Sequence, residues 1–173
     1  MGISLVVVML FAGCGEKKTS ELSDYEALTF RIDSLESMLL NDSLEVSDAT
    51  ASAVIKAYLK FADTWPTDSS SVDYLFKAAD VMRGMYRIQD AVQTLDLVVK
   101  RYPESEKAPS ALFYAGFILH TDADQNNMAI EYFERLIEEF PNHPLSDDAR
   151  NLMPLLYMSE EQLMDFLSRN QES

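Results

Sequence analysis

Large apolar residues recur along the middle of this chain at helical spacing, and an aromatic residue followed by proline closes each round. The three pairs begin at Trp65, Tyr102 and Phe140, so their prolines are 37 and then 38 residues apart. Large apolar residues precede each proline by eight and by five positions, which places both on one helix face. Because proline ends the preceding helix, the pattern predicts a repeat of paired helices, with a period close to the roughly 34 residues of stacked helical hairpins.

Two consecutive units carry the pattern in full, with small residues where two helices must approach closely. Residues 72–103 resemble a tetratricopeptide repeat without a gap, and residues 109–141 resemble one with an extra residue in the turn. The matching positions are Leu75, Ala78, Ala79, Ala91, Leu95, Val98 and Pro103, then Leu112, Ala115, Gly116, Ala129, Phe133, Leu136 and Pro141. Residues 51–66 resemble the second helix of an earlier unit, but the stretch before them does not fit a first helix.

The resemblance implies an all-α fold, a tetratricopeptide-type solenoid of helical hairpins over residues 51–158. Residues 159–173 are expected to form a C-terminal capping helix, begun by a capping box from Ser159 to Gln162. Pro154 is expected to break the helix before it. Such a resemblance is specific to architecture and only weakly specific to function.

The N-terminal segment indicates an anchor. Residues 3–12 are almost entirely apolar, too few for the roughly 20 residues that span a bilayer but typical of a signal-peptide core. The run ends in Leu10-Phe-Ala-Gly-Cys14, which resembles a lipobox, although no Lys or Arg precedes it and Phe11 stands where Leu is commoner. Residues 1–13 are thus expected to be a lipoprotein signal peptide and Cys14 the lipid attachment residue; a cytosolic protein with an apolar start is the alternative.

The lipobox resemblance implies several acyl chains on Cys14, and therefore lasting membrane attachment. Cys14 is the only cysteine, so an intramolecular disulfide is excluded. Gly15 stands where the inner-membrane retention signal has Asp, which implies an outer-membrane lipoprotein, expected to face the periplasm. Residues 14–24 are expected to be a polar tether.

Residues 25–50 are expected to form a helix and a polar connector. Leu28, Ile32, Leu35 and Leu39 alternate spacings of four and three, as the seam of a coiled coil does. Two heptads are fewer than an independent coiled coil needs. Two interpretations stay open: an amphipathic helix that packs on the first repeat, or a short coiled coil through which residues 25–40 form a homo-oligomer.

The net charge and the absence of known motifs exclude several classes of function. A net charge of −15 excludes nucleic acid as a partner, because phosphate binding needs a basic face. His120 and His143 belong to no metal-binding motif, and neither a Gly-x-Ser-x-Gly motif nor a phosphate-binding glycine loop is present. Residues 122–127 resemble the start of a calcium-binding EF-hand loop, but Phe133 lies at the position where that loop has its bidentate Glu. We therefore expect no enzyme activity, no metal and no cofactor.

The remaining candidate is the concave face, which the first helix of each unit lines in this repeat family. Transferring the register places there Asp73, Phe76, Asp80 and Arg83 from one unit and Ser110, Phe113, Phe117 and His120 from the next. Three phenylalanines beside polar residues suit a peptide or helical partner, although phenylalanines at helical spacing are also common in a core. The acidic surface after Thr121 is a second candidate, for a basic partner.

The combined features resemble small tetratricopeptide outer-membrane lipoproteins of the BamD-like kind. That resemblance implies a non-catalytic envelope adaptor that binds protein partners, such as an outer-membrane assembly complex. Two alternatives are a CpoB-like coordinator of envelope constriction, supported only by the seam of residues 28–39, and an accessory solute-capture lipoprotein like the SusD family.

Overall fold

The structure, a computed structural model, describes residues 23–41 and 47–171 of the chain. These residues form eight helices, of which the first seven pack in chain order, each against the next, as in a tetratricopeptide-type solenoid. The predicted signal peptide, Cys14 and most of the predicted tether lie outside the described residues. The helices are α1 (Asp24–Asn41), α2 (Asp48–Thr64), α3 (Ser70–Gly84), α4 (Ile88–Arg101), α5 (Ala108–Thr121), α6 (Asn126–Glu139), α7 (Pro144–Leu156) and α8 (Glu160–Gln171).

The aromatic residue of each aromatic-proline pair ends a helix in the same way. At Trp65, Tyr102 and Phe140 the backbone leaves the helix with φ between −124° and −133°, while the residue's N–H still donates to the carbonyl four positions earlier. The carbonyl of each then accepts from the N–H three positions later, which starts a tight turn into the next helix. The repeat inferred from side chains is thus also a repeat of backbone geometry.

Two buried serines strengthen this turn. The hydroxyl of Ser71 donates to the carbonyl of Trp65, and the hydroxyl of Ser146 donates to that of Phe140, both at 2.6 Å. Each serine lies six positions after its aromatic residue. The equivalent position in the middle unit is Ala108, which is also fully buried but has no hydroxyl.

The turns inside the two hairpins differ by one residue. In the turn between α3 and α4, the N–H of Arg87 donates to the carbonyl of Met82; in the turn between α5 and α6, the N–H of Gln125 donates to the carbonyl of Leu119, one position further back. Each turn contains one residue with positive φ, Tyr86 at 57° and Asp124 at 51°. The extra residue predicted for residues 109–141 therefore lies in the turn between α5 and α6, and α6 keeps the same repeat positions as α4.

The first hairpin is made by α1 and α2. Leu28 and Ile32 of α1 are buried against Val54, Tyr58 and Phe61 of α2, and the remaining seam residues Leu35 and Leu39 pack at the edge of the same cluster. The seam is therefore used within the chain. This packing is the one expected if residues 25–40 form an amphipathic helix. It also makes α1 the first helix of a hairpin with α2, a partner that the sequence did not reveal.

The C-terminal end differs in detail from the sequence-based expectation. Pro154 lies inside α7, which ends only two residues later at Leu156. A proline at this position removes one intrahelical hydrogen bond and crowds the preceding turn, so the helix ends soon after it and not at it. Helix α8 begins with the expected capping box: the amide of Ser159 donates to Gln162 Oε1 at 2.9 Å, and the amide of Gln162 donates to Ser159 Oγ at 3.2 Å. It is α7, however, that packs on α5 and α6, while the described side chains of α8 are mostly exposed.

Candidate partner-binding face

Helices α3 and α5 are the first helices of two consecutive hairpins, and the predicted partner-binding residues lie along them. Four come from α3 and four from α5, at spacings of three and four residues. We call this surface the α3–α5 face. Its eight predicted members are Asp73, Phe76, Asp80, Arg83, Ser110, Phe113, Phe117 and His120.

Arg83 joins the two helices at one end of this face. Its Nη2 donates to Asp122 Oδ1 at 3.0 Å, and its Nη1 donates to the hydroxyl of Tyr114 at 3.3 Å. Its guanidinium carbon also lies 5.6 Å from the ring centre of Phe117. The hydrogen bonds from Arg83 lower the pKa of Asp122, and the bond to Asp122 raises the pKa of Arg83. Both groups are therefore ionised across the physiological range.

The hydroxyl of Tyr114 completes this group by donating to the carboxylate of Asp80. Burial raises the pKa of Tyr114, and the bond to Asp80 raises it further. The phenol thus stays protonated and keeps its donor role. Arg83, Tyr114 and the two carboxylates line a shallow pocket of about 450 Å³, together with Gly84 and Tyr86.

A second contact joins α3 to the start of α5. Lys107 pairs with Asp73, and its ammonium group lies 5.8 Å from the ring centre of Phe76. Both ionic side chains are half exposed, so the pair contributes little to folding stability. It does fix where a positive and a negative charge lie along the face.

The three phenylalanines of the face are not equivalent. Phe117 is 37% exposed, whereas Phe76 and Phe113 are half-buried and pack against the core. The rings of Phe113 and Phe133 have their centres 5.5 Å apart. Of the three, Phe117 is therefore the aromatic surface that a partner can reach.

The two other predicted residues lie at the ends of α5. Ser110 is half-buried in its first turn, and His120 is exposed in its last turn, with Nδ1 2.8 Å from Asn126 Oδ1. Sequence reasoning did not include Tyr114 or Tyr86 in the face. Tyr114 follows Phe113 directly, and no sequence pattern distinguishes it. Tyr86 is 88% exposed and lies in a turn, where glycine is common. A tyrosine in such a turn could have indicated a functional residue.

Polar contacts across this protein join positions about one repeat apart. Besides Asp73 with Lys107 and Arg83 with Asp122, the second helices are joined by Arg101 with Asp63 and by Arg135 with Asp96. Glu36 of α1 pairs with Lys77 of α3. We call these the inter-unit contacts: Glu36–Lys77, Asp63–Arg101, Asp73–Lys107, Arg83–Asp122 and Asp96–Arg135. They hold consecutive hairpins side by side.

Helical hairpins stacked in this way are the architecture of tetratricopeptide-type repeats, which typically serve as non-catalytic modules for protein–protein interaction. In agreement, residues 73–105 and 110–143 match the tetratricopeptide repeat family model. Each matched stretch contains one hairpin, α3–α4 or α5–α6. No curated protein matches the chain. None of the helices within residues 23–41 and 47–171 has the length and apolar character to cross a bilayer.

Proposed function

We propose that this protein is a non-catalytic adaptor that binds a protein partner through the α3–α5 face, and that a lipid on Cys14 anchors it to the outer membrane, facing the periplasm. The observation that carries the proposal is the pairing of two exposed aromatic side chains, Phe117 and Tyr86, with the charged pocket around Arg83. Aromatic and arginine side chains are the residues on which protein interfaces most often depend.

Tyr86 gives this face a second sign of function. A tyrosine with φ of 57° is strained, since only glycine, and less often Asn or Asp, adopts the left-handed region at low cost. The side chain is almost fully exposed, so packing does not compensate for the strain. Strain without structural benefit is typical of residues retained for binding.

The partner is expected to be an envelope protein, such as a component of an outer-membrane assembly complex. The CpoB-like alternative depends on the seam of α1, which the structure packs against α2. Nothing in the described residues favours a solute-capture role.

Site-specific crosslinking tests the binding face. A photoreactive amino acid in place of Phe117 or Tyr86 should give one discrete crosslinked species in intact envelopes. The matched control is the same amino acid in place of Phe30, which is 70% exposed but lies on α1, in the first hairpin. Equal crosslinking at all three positions would refute the proposal. The same amino acid is also placed at Glu134, on the acidic surface of α6. A product formed only there would place the partner-binding site on that surface.

The anchor is tested separately. Cys14→Ser should release the protein from the membrane fraction into the soluble fraction, because acylation needs the thiol. A variant that remains in the outer-membrane fraction would refute the lipid attachment. The two tests are independent, because a crosslinked product at Phe117 or Tyr86 reports the binding face whether or not Cys14 carries a lipid.

A further inference from the structure

The basic side chains of this acidic protein are unevenly satisfied. Every lysine and arginine from Lys77 onward has a carboxylate partner within 4.0 Å. The three earlier cations among the described residues, Arg31, Lys56 and Lys60, have no described carboxylate within that distance. Lys56 and Lys60 are also four positions apart on α2, and like charges at this spacing destabilise a helix. In a chain of net charge −15, such an arrangement is unexpected.

The sequence itself keeps carboxylates away from these cations. Helical ion pairs form at spacings of three and four residues, and no Asp or Glu lies at those spacings from Arg31 or Lys56. Lys60 has one such neighbour, Asp63, but that carboxylate pairs instead with Arg101 at 2.6 Å. The excess of positive charge is therefore a property of the local sequence and does not depend on the side-chain conformations.

These three cations line one groove. It lies between α1 and α2 in the first hairpin, has a volume of about 780 Å³, and is larger than the pocket around Arg83. Its apolar lining includes Leu28, Ala57 and Trp65, and Asp24 is the one carboxylate among its described lining residues. The other lining residues are mostly alanine and serine, so a third helix can lie close to both walls.

The repeat register shows what lies at the equivalent place further along the chain. Counted back from the proline of each repeat, Ala57 and Lys60 occupy the same positions as Tyr132 and Arg135 of α6. There the preceding second helix, α4, runs alongside α6. Arg135 pairs with Asp96 of α4 at 2.9 Å, and burial together with the charge of Asp96 raises the pKa of Tyr132. Among the described helices, α2 has no such neighbour on the side that carries Lys60.

We propose that the groove between α1 and α2 binds an acidic amphipathic helix of a partner protein, which lies along the first hairpin as α4 lies along the hairpin of α5 and α6. The apolar side of this helix contacts Leu28, Ala57 and Trp65. Its carboxylates face the three cations of the groove, and this charge complementarity selects an acidic helix. The site is separate from the α3–α5 face and does not depend on it.

The inter-unit contacts support this choice of partner. In four of the five, the carboxylate belongs to the earlier hairpin and the cation to the later one. An acidic helix placed before the first hairpin continues this order. The groove is also concave, which suits a helix better than the flat surface of a membrane.

The probe is a peptide with the sequence of α6, residues 126–139. Its Glu134 lies seven positions before the repeat proline, as Asp96 does in α4. A lactam that joins Asn127→Lys to Glu131, two positions exposed on α6, holds the short peptide in a helix, and circular dichroism verifies this. Three free glutamates and one arginine remain. In the folded chain α6 is covered by α5 and α7, so the peptide represents the helix of a partner.

Trp65 gives the readout, because it is the only tryptophan of the chain and it lines the groove. The probe contains no tryptophan. Adding it to the full chain should shift the emission of Trp65 to shorter wavelength until the groove is saturated, and binding should weaken as salt screens the charges. Lys60→Glu should weaken binding by about tenfold or more. The matched control is Lys100→Glu, which changes an exposed lysine of α4 outside the groove and should bind as the wild type does.

A charge swap tests the position of the helix. The probe with Glu134→Lys should bind the wild type weakly and Lys60→Glu more tightly, since the second change restores opposite charges. A swap that restores no binding would overturn the placement of the helix along α2.

The proposal is also wrong if the helical probe leaves Trp65 emission unchanged, or if Lys60→Glu and Lys100→Glu weaken binding equally. Two further results would assign the groove to another occupant. A shift that the wild type shows with rising concentration and without the probe, and that Lys60→Glu loses, would assign it to a second copy. A shift caused by vesicles of anionic phosphatidylglycerol, but not by the probe, would assign it to the membrane.

Discussion

Gly116 of α5 lies where α6 approaches closely, and replacing it with alanine tests the packing of the α5–α6 hairpin. A Cβ built on Gly116 would lie 2.8 Å from Cε1 and 3.0 Å from Cζ of Phe133, and 3.1 Å from the carbonyl oxygen of Ala129. Phe133 is 1% exposed and cannot swing away, and the carbonyl belongs to the backbone of α6. The two helices must therefore separate by several tenths of an ångström.

Two opposed contributions set the change that Gly116→Ala causes in the free energy of unfolding. Alanine in place of glycine favours a helix by about 1 kcal/mol, whereas overpacking of a core costs about 1–3 kcal/mol. Gly84→Ala is the matched control, because Gly84 is also helical and a Cβ there would meet no described atom within 4 Å beyond its own helix. It should be neutral or stabilise by up to about 1 kcal/mol. The difference between the variants isolates the overpacking cost.

The assay is thermal and chemical denaturation of both variants beside the wild type. For a chain of this length, 1 kcal/mol shifts Tm by about 2–4 °C. The two Tm values should therefore differ by about 2–12 °C, with Gly116→Ala the lower. Adding Phe133→Leu, which removes the contacting ring atoms, should reduce the penalty of Gly116→Ala, as expected for residues in direct contact. Equal shifts for the two alanine variants would refute the close approach of α5 and α6. Gly116→Leu should be more destabilising still.

Other predictions concern the turns and one ion pair. Ala108→Ser should raise the free energy of unfolding by about 0.5–1.5 kcal/mol by supplying the hydroxyl that the middle unit lacks; Ser71→Ala should lower it by a similar amount, and denaturant titration checks both. Tyr86→Gly should stabilise by about 1 kcal/mol, because glycine adopts positive φ freely; Tyr86→Ala, which keeps the strain, should give no such gain in the same titration. Asp96→Asn tests acid stability. Burial raises the pKa of Asp96, but hydrogen bonds from Lys100 and Arg135 outweigh it and hold the pKa below the ordinary 3.8. A carboxyl with a lowered pKa stabilises the fold at higher pH and loses that contribution as pH falls through its folded pKa. The wild type should therefore lose more stability below pH 3.8 than Asp96→Asn does, and equal losses would contradict this role.

The sequence predicted the hairpins well because their signals are local. Prolines at fixed intervals, small residues at helix crossings and the capping box at Ser159 each act within a few residues, so a single chain shows them. The one-residue insertion was found for the same reason. The first hairpin was only half recognised, because the stretch before α2 does not fit the first helix of the repeat pattern, and its role became clear only from the packing of α1 with Tyr58 and Phe61.

The α3–α5 face was harder to predict because its properties depend on contacts between units. The register placed Arg83 and Phe117 on one face, where the structure has them 5.6 Å apart, but it could not separate the exposed Phe117 from the half-buried Phe113, since both follow helical spacing. It placed Asp80 on this face but left Asp122 outside it. In the structure, Arg83 and Tyr114 bring these two carboxylates into one group. Such a group links residues more than 30 positions apart, and no local pattern reports it.

The inter-unit contacts also determine how this solenoid responds to force. Asp63 with Arg101 joins two consecutive second helices, and Asp73 with Lys107 joins α3 to the start of α5, so each pair opposes the separation of neighbouring units. Exposed pairs weaken as salt rises, with a screening length of about 10 Å at 0.1 M, while the apolar core between the helices does not. We therefore expect higher ionic strength to ease small movements between neighbouring units without unfolding them. A partner that must flex the solenoid in order to dock meets less elastic resistance at high salt, even as its own charged contacts weaken.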